Sequence, residues 1–466
     1  MMRLTLTDLA EVVGGVLLDP ADGRRAVDHV TIDSRTVRAN SLFVALPGAH
    51  SDGHDHIAAA AAAGAGGYLC RVGYHAGPRG GVAVDDPADA LRGLGAWVRA
   101  TVDPTVVAVT GSSGKTTTKD LIAAAVGAGR RVVANPGSYN NELGVPLTCC
   151  LLEPGAQVLV AELGARGLGH ISQMAQIVRP DIGVVTNIGV AHLEMFGDVD
   201  TVAQAKSELV AALPTDGVAV LNADDARVAA MAGLAACRIL TFGTGPDADL
   251  RAVDVRLDSA ARPTFRVGDV QVRLPLPGAH NVGNALAAMA AADACGVDLA
   301  AAALALSDAS VSPWRMELST TAGGVTVLND AYNANPASMA AALETLAAMT
   351  APGRRFGVLG QMAELGADAG AAHREIGRRA AALGLDGLVV VGELAAAVAE
   401  GARQAGLPAE AVAVVADADE AIVTVVGWLT AGDAVLVKAS RSVGLERVAA
   451  ALHTPASTPR VAGQAS

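Results

Sequence analysis

Residues 105–117, TVVAVTGSSGKTT, constrain the fold more than any other stretch of the chain. Val106, Val107 and Val109 are β-branched, and the run carries no charge, the pattern of a strand buried on both faces. Gly111 and Gly114 then let the backbone turn sharply and approach a ligand, and Lys115 opens a helix. Strand, glycine-bounded loop and helix N-terminus in that order make an anion cradle, because the loop amides and the helix dipole both favour negative charge. Gly111, Ser112, Ser113, Gly114, Lys115, Thr116 and Thr117 are therefore read as a nucleotide-triphosphate site. Lys115 would reach the outer phosphates and the Thr116 hydroxyl could ligate magnesium. The loop is a short variant, since Val109 stands where the usual phosphate loop has its first glycine.

A strand of that kind implies parallel neighbours. From residue 105 to about 312, strands alternate with helices, which predicts a mostly parallel sheet covered on both faces. Ligands of such sheets sit beyond the carboxyl ends of the strands. Glu162, Thr186, Asn187 and His192 all follow predicted strands, and their shared address beside the loop predicts a metal–nucleotide site. Lys206 falls on the apolar stripe of a helix predicted over 201–213, between Val202 and Leu209. Either its stem packs while its head reaches water, or desolvation leaves a reactive neutral amine able to form a carbamate, an oxygen ligand for magnesium. Gly243, Gly245 and Ala248 match a dinucleotide fingerprint by spacing, but LRAVDVRL after them alternates like a strand, so the match fails its context. Residues 241–276 are read as an antiparallel excursion, followed by a long helix with His280, Asn281 and Asn284 at its start, as caps or as nucleotide contacts.

The fold class is α/β, in three domains at 1–102, 103–312 and 313–466. In the first, Asp33, Ser34 and Arg35 cluster past a predicted strand, where Arg35 offers a fork to a phosphate or carboxylate or simply an ion pair at a helix cap. His54 and His56 are read as a solvated loop. After Pro313 a second doubly wound unit is predicted, with polar clusters at 329–335, 361–364 and 438–441. The formal charge of −13 argues against nucleic acid as the main partner. No run of about 18 strongly apolar residues predicts a membrane span, and the N-terminal stretch lacks a leader pattern. Five cysteines without metal-ligand spacing read as buried cytosolic thiols. The proline-bearing tail after Leu452 reads as disordered.

The motifs TGSSGKTT (110–117), ELG (162–164), AHLE (191–194), AKSEL (205–209), HNVGNALAA (280–288) and KASR (438–441) run in order over nearly the whole chain. Together they resemble the ATP-dependent Mur ligases of peptidoglycan synthesis. YNNELGVP (139–146), NDAYNANPASM (329–339) and VLGQMAELG (358–366) are closest to the branch that joins D-alanyl-D-alanine to UDP-N-acetylmuramoyl-tripeptide. The sequence departs from the pattern at Gln361, for an aspartate, and at Asn329, for the first of an acidic pair. The resemblance implies a uridine-nucleotide domain, a central P-loop-type ATPase domain and a Rossmann-like third domain in a cytoplasmic monomer. It implies ATP, Mg2+ and an acyl phosphate intermediate. By it, Thr116 and Glu162 hold one magnesium, and His192 with a carbamylated Lys206 a second, Lys115, Lys206 and His192 being catalytic. His280, Asn281, Arg315 and Asp330 meet the nucleotide. Ser34, Arg35, Asn140, Asn141, Asn333, Asn335, Lys438 and Arg441 serve the two substrates. Rival expectations are a third-residue-adding ligase, a folylpolyglutamate synthase-like ligase, or a switch that hydrolyses ATP without ligation.

Overall fold

The computed structural model describes residues 1–48, 51–74, 77–189 and 193–453. Its strands form three main sheets, taken up in chain order. The first runs Val16–Leu17, Gly81–Val84, Gly67–Arg71, Ser41–Val44, His29–Thr31, parallel except for the Val16–Leu17 edge. Helix Pro87–Val102 leaves this sheet with Asp86 capping its first amides and Pro87 at its first position, where a missing N–H costs nothing. Leu91, Leu94 and Val98, at helical spacing, are fully buried.

The second sheet has nine strands. Thr105–Thr110 is third from one edge, between Ile182–Val185 and Val158–Glu162, and pairs with both in parallel. The chain leaves Thr105–Thr110 for the far edge at Val132–Ala134, returns to Val158–Glu162, then crosses to the other side. The phosphate-loop strand therefore ends at a switch point, where adjacent connections part and open a crevice. Beyond Arg238–Gly243 the predicted excursion is present in part. Leu250–Leu257 is still parallel to its neighbour, and only Pro263–Val267 and Val270–Arg273 turn antiparallel. The rejected glycine fingerprint is a turn, its amides at Thr244 and Gly245 donating to Asp224. Helix Asn281–Ala294 is apolar around most of its circumference and buried over most of its length, as its alanines allow.

The third sheet runs Glu317–Thr320, Thr326–Asn329, Ala434–Lys438, Arg355–Gly360, Gly387–Val391, Val412–Val415, with only the first strand antiparallel. The expected strands are all present. The antiparallel edge and helix Pro336–Ala348, capped by Asn335, were not foreseen. Cys237 and Cys295, expected to be buried like the other cysteines, are half-buried. The tail expected to be disordered lies, from residue 454 on, outside the described residues. Among the described residues no helix is long and apolar enough to cross a membrane.

Candidate functional site

The turn after Thr105–Thr110 is sterically obligatory. Gly111 has φ 148°, and a Cβ there would lie 2.0 Å from the Thr186 hydroxyl; at Gly114, φ 77°, it would lie 2.6 Å from Asn284 Oδ1. No other residue fits at either place without moving a neighbour. The loop is braced from the next strand end. Ser112 N donates to Asn187 O (2.9 Å), Ser113 N to Asn187 Oδ1 (2.9 Å), and the Thr186 hydroxyl to Ser113 O (2.8 Å). Thr186 and Asn187, read as site candidates from their position, thus hold the shape of the loop.

Lys115 curls back, its Nζ donating to Gly111 O at 2.7 Å and Ser112 O at 3.4 Å. Burial lowers its pKa from the ordinary lysine value, while Glu162 opposes that shift. Thr116 Oγ1 donates to Glu162 Oε2 at 2.6 Å, and Asn140 Nδ2 to Glu162 Oε1 at 2.7 Å. Glu162 is buried, so its charge is held by those two donors rather than by water. A hydroxyl and a carboxylate side by side beneath a phosphate loop are hard oxygen donors that suit magnesium, which takes one or two such ligands and completes its shell with water and phosphate oxygens. Among the described residues no three histidine, cysteine, aspartate or glutamate side chains cluster as a metal site.

A cavity of about 1220 Å³ opens over this pair and is walled by all three sheet units. Ser112 to Thr117, Asn140, Asn141, Glu162 and His280 line it from the second unit, and Arg315, Asp330, Asn333, Asn335, Lys438 and Arg441 from the third. Asn335 Nδ2 reaches across to Ser113 Oγ at 2.9 Å. Lys438, almost fully buried, spends its ammonium on Asp330 Oδ2 (2.5 Å) and Asn333 O (2.8 Å), so a residue expected at the nucleotide and one expected at the substrates form one ion pair. Arg441 pairs with Glu446 (2.7 Å) and stacks on Trp314. Arg315 donates to Ser138 Oγ (2.8 Å) and lies 4.0 Å over the Tyr332 ring.

Other predicted residues sit elsewhere. Asn281 is outside the cavity wall, and both ends of its amide are used, Nδ2 on Pro277 O and Oδ1 on Asn284 Nδ2. Asn141 faces the cavity, but its Oδ1 accepts from Gly144 N (2.8 Å). Ser34 and Arg35 also lie off the wall, where Ile32 alone of their neighbours appears; Arg35 is 87% exposed and forks onto Asp33. Lys206 is buried in helix Val199–Ala211, its Nζ 5.7 Å from the Phe196 ring centre. Its pKa is lowered to about 7, first by burial and then by the like charge of Lys115. Of the two sequence alternatives for Lys206, the one in which its head reaches water does not fit a residue only 2% exposed. His192 lies outside the described residues. Of the departures, the Gln361 side chain donates through Nε2 to Ser442 Oγ at 3.5 Å, and Asn329 Oδ1 accepts from Ala331 N.

Ser138, Lys119 and Asp120 were missed. Ser138 bridges Thr116 (3.0 Å) and Arg315, a long-range fact, but a lysine four residues after Lys115 on a buried helix was a legible signal.

Three family models match the chain: Mur ligase family, catalytic domain (residues 26–77), Mur ligase middle domain (109–292) and Mur ligase, glutamate ligase domain (314–441). The UDP-N-acetylmuramoyl-tripeptide–D-alanyl-D-alanine ligase of Mycobacterium tuberculosis (strain ATCC 25618 / H37Rv) is 44% identical, across 97% of this chain and 98% of its own. That of Escherichia coli (strain K12) is 36% identical, across 97% and 99%. A crystal structure of MurF from Acinetobacter baumannii superposes with TM-score 0.85 at 30% identity, covering 97% of this chain and 99% of that one. A folylpolyglutamate synthase of Mycobacterium tuberculosis complexed with ADP, at 18% identity, TM-score 0.63, 78% of this chain and 93% of that one, shares the fold alone.

Proposed function

The chain belongs to the Mur ligase family, and on that footing we propose that it is an ATP-dependent ligase joining D-alanyl-D-alanine to UDP-N-acetylmuramoyl-tripeptide. The observation that carries this reading is end-to-end correspondence, at 44% identity, with ligases of that name. The rival folylpolyglutamate synthase-like and third-residue-adding architectures match at 20% or less. We divide the chain at 102/103 and 312/313 and take it to be a cytoplasmic monomer.

Two anions must meet in the first step: the tripeptide's carboxylate attacks the γ-phosphorus of ATP, the P–O bond to ADP breaks, and an acyl phosphate forms. Lys115, the loop amides and Arg315 surround the place where that charge gathers, the largest electrostatic contribution such a site makes. The dipeptide's amine then attacks the acyl carbon, loses a proton, and phosphate leaves. Asn333, Asn335, Lys438 and Arg441 line the cavity from the third unit, and on this reading the dipeptide approaches along them. Their origin in a different unit from Lys115 means that closure completes the site and excludes water from the acyl phosphate. Magnesium, when bound, neutralises phosphate charge, and Thr116 and Glu162 would hold it. Lys206, with a pKa near neutrality, supports the carbamate reading: its free amine adds to carbon dioxide with loss of one proton, and the resulting oxygens with His192 would hold a second magnesium.

Purified protein given ATP, magnesium, the uridine-linked tripeptide and D-alanyl-D-alanine should release ADP and yield the pentapeptide by mass. Turnover only with a free amino acid would transfer the assignment to another ligase, and ADP without an amide product to a switch.

A further inference from the structure

The linker between the second and third units is bonded at two points to the phosphate-loop region. Ser312 N donates to Asp120 Oδ2 at 2.7 Å, and three residues on Arg315 donates to Ser138 Oγ at 2.8 Å. Trp314 and Met316, on either side of Arg315, have φ 61° and 52°. L side chains seldom adopt that conformation, and it persists only where the surroundings hold it. Here Met316 N is held by Asp330 Oδ1 (3.1 Å), Trp314 N by Glu317 Oε2 (3.3 Å), and Trp314 O accepts from Tyr332 N (3.2 Å). The strained turn therefore aims Arg315 in one direction, and its Nε is buried with no hydrogen-bond partner among the described residues.

Ser138 receives it from a loop that is itself anchored. The buried Lys119 ammonium donates to Asn135 O (2.7 Å) and Gly137 O (3.2 Å) and pairs with Asp120 Oδ1 (2.6 Å). Linker, Asp120, Lys119, loop 135–138, Ser138 and Arg315 thus close a ring. Ser138 opens one exit from it, through Thr116 at 3.0 Å to Glu162.

We propose that Ser138 is a positioning residue that latches the linker, coupling the docking of Arg315 to the Thr116–Glu162 pair, with Lys119 and Asp120 holding its loop in place. This rests on the reading of the phosphate loop as the nucleotide site. Nucleotide that orders Thr116 favours the latched linker, and by reciprocity the latched linker tightens nucleotide. Ser138 need touch no reacting atom to do so.

Trp314 gives a direct readout, since the chain has three tryptophans and Trp97 and Trp428 can be replaced by phenylalanine. In that background ADP should change Trp314 emission, and the parent and Ser138→Thr should respond alike. Ser138→Ala, losing a hydrogen bond to a charged group, should bind ADP about ten-fold more weakly, with a smaller emission change and an unaltered unfolding temperature. In ligation assays the same variant should raise the KM for ATP more than it lowers kcat. Asp120→Ala should move these readouts the same way. Parent-like ADP affinity and emission in Ser138→Ala and Asp120→Ala, failure of threonine to restore them, or a Trp314 signal blind to ADP would overturn the latch. A parent that responds to ADP but makes no amide would instead sink the ligase assignment.

Discussion

The large cavity and the surface of the first sheet beside it handle charge in opposite ways. Toward the phosphate loop, cations from two units are buried, half-buried or stacked and tied to backbone or to each other's neighbours: Lys115 on loop carbonyls, Lys438 on Asp330, Arg315 on Ser138. Toward the first sheet, Arg35 is exposed and forked onto Asp33 two residues before it, whose pKa that pairing holds down at about 2. A buried cation without partners is costly, so the phosphate end has to be organised before ligand arrives. An exposed ion pair contributes little to stability and is exchanged readily for a ligand. The cations around the phosphate loop are thus set by the fold, whereas Arg35 is free to exchange its partner.

The largest test of that contrast is Lys115→Ala. Its ammonium is the side-chain cation of the loop, and turnover should fall by about 1,000-fold or more, measured as ADP release, with the fold retained by circular dichroism. Near-normal turnover would mean that the phosphate end does not depend on preset charge.

Lys206 sharpens the same contrast through stability. Its folded pKa of about 7 lies below the ordinary 10.5, so between those values the unfolded chain binds the extra proton and ligand-free stability rises with pH. The slope should approach about 1.4 kcal/mol per pH unit inside that window. Lys206→Met should flatten the slope to what the lowered pKa of Lys115 leaves, be more stable than the parent at pH 7 by a few kcal/mol, and be nearly inactive. Urea denaturation across pH 7–10 reads the first two. Lys206→Ala activity partly restored by small carboxylates would identify the missing group as an oxygen ligand.

What the sequence made legible follows the same division. The phosphate loop could be read because Gly111 and Gly114 answer local backbone demands, and Glu162 because a carboxylate at the end of an apolar strand has few structural uses. Asn281 misled because its motif position did not reveal that its own helix turn uses both ends of the amide. Lys438 and Asp330 were each read toward a ligand, although they lie 108 residues apart and meet only through the parallel pairing of their strands. Ser138 was invisible for the same reason: its partner Arg315 is 177 residues away. Pairings across units are set by packing, on which local pattern is silent.

The smallest effect belongs to Arg35. Replaced by alanine, it leaves Asp33 with the amide of residue 35 still donating at 2.9 Å, and both groups remain near water. Stability should therefore stay essentially unchanged. If the fork leaves Asp33 for the uridine-linked substrate's phosphate, the KM for that substrate should rise about ten-fold while those for ATP and the dipeptide stay put. A rise in all three would show that the first sheet is wired into the phosphate end after all. No change in any would remove Arg35 from the substrate site and leave it as the exposed cap partner that its geometry already permits.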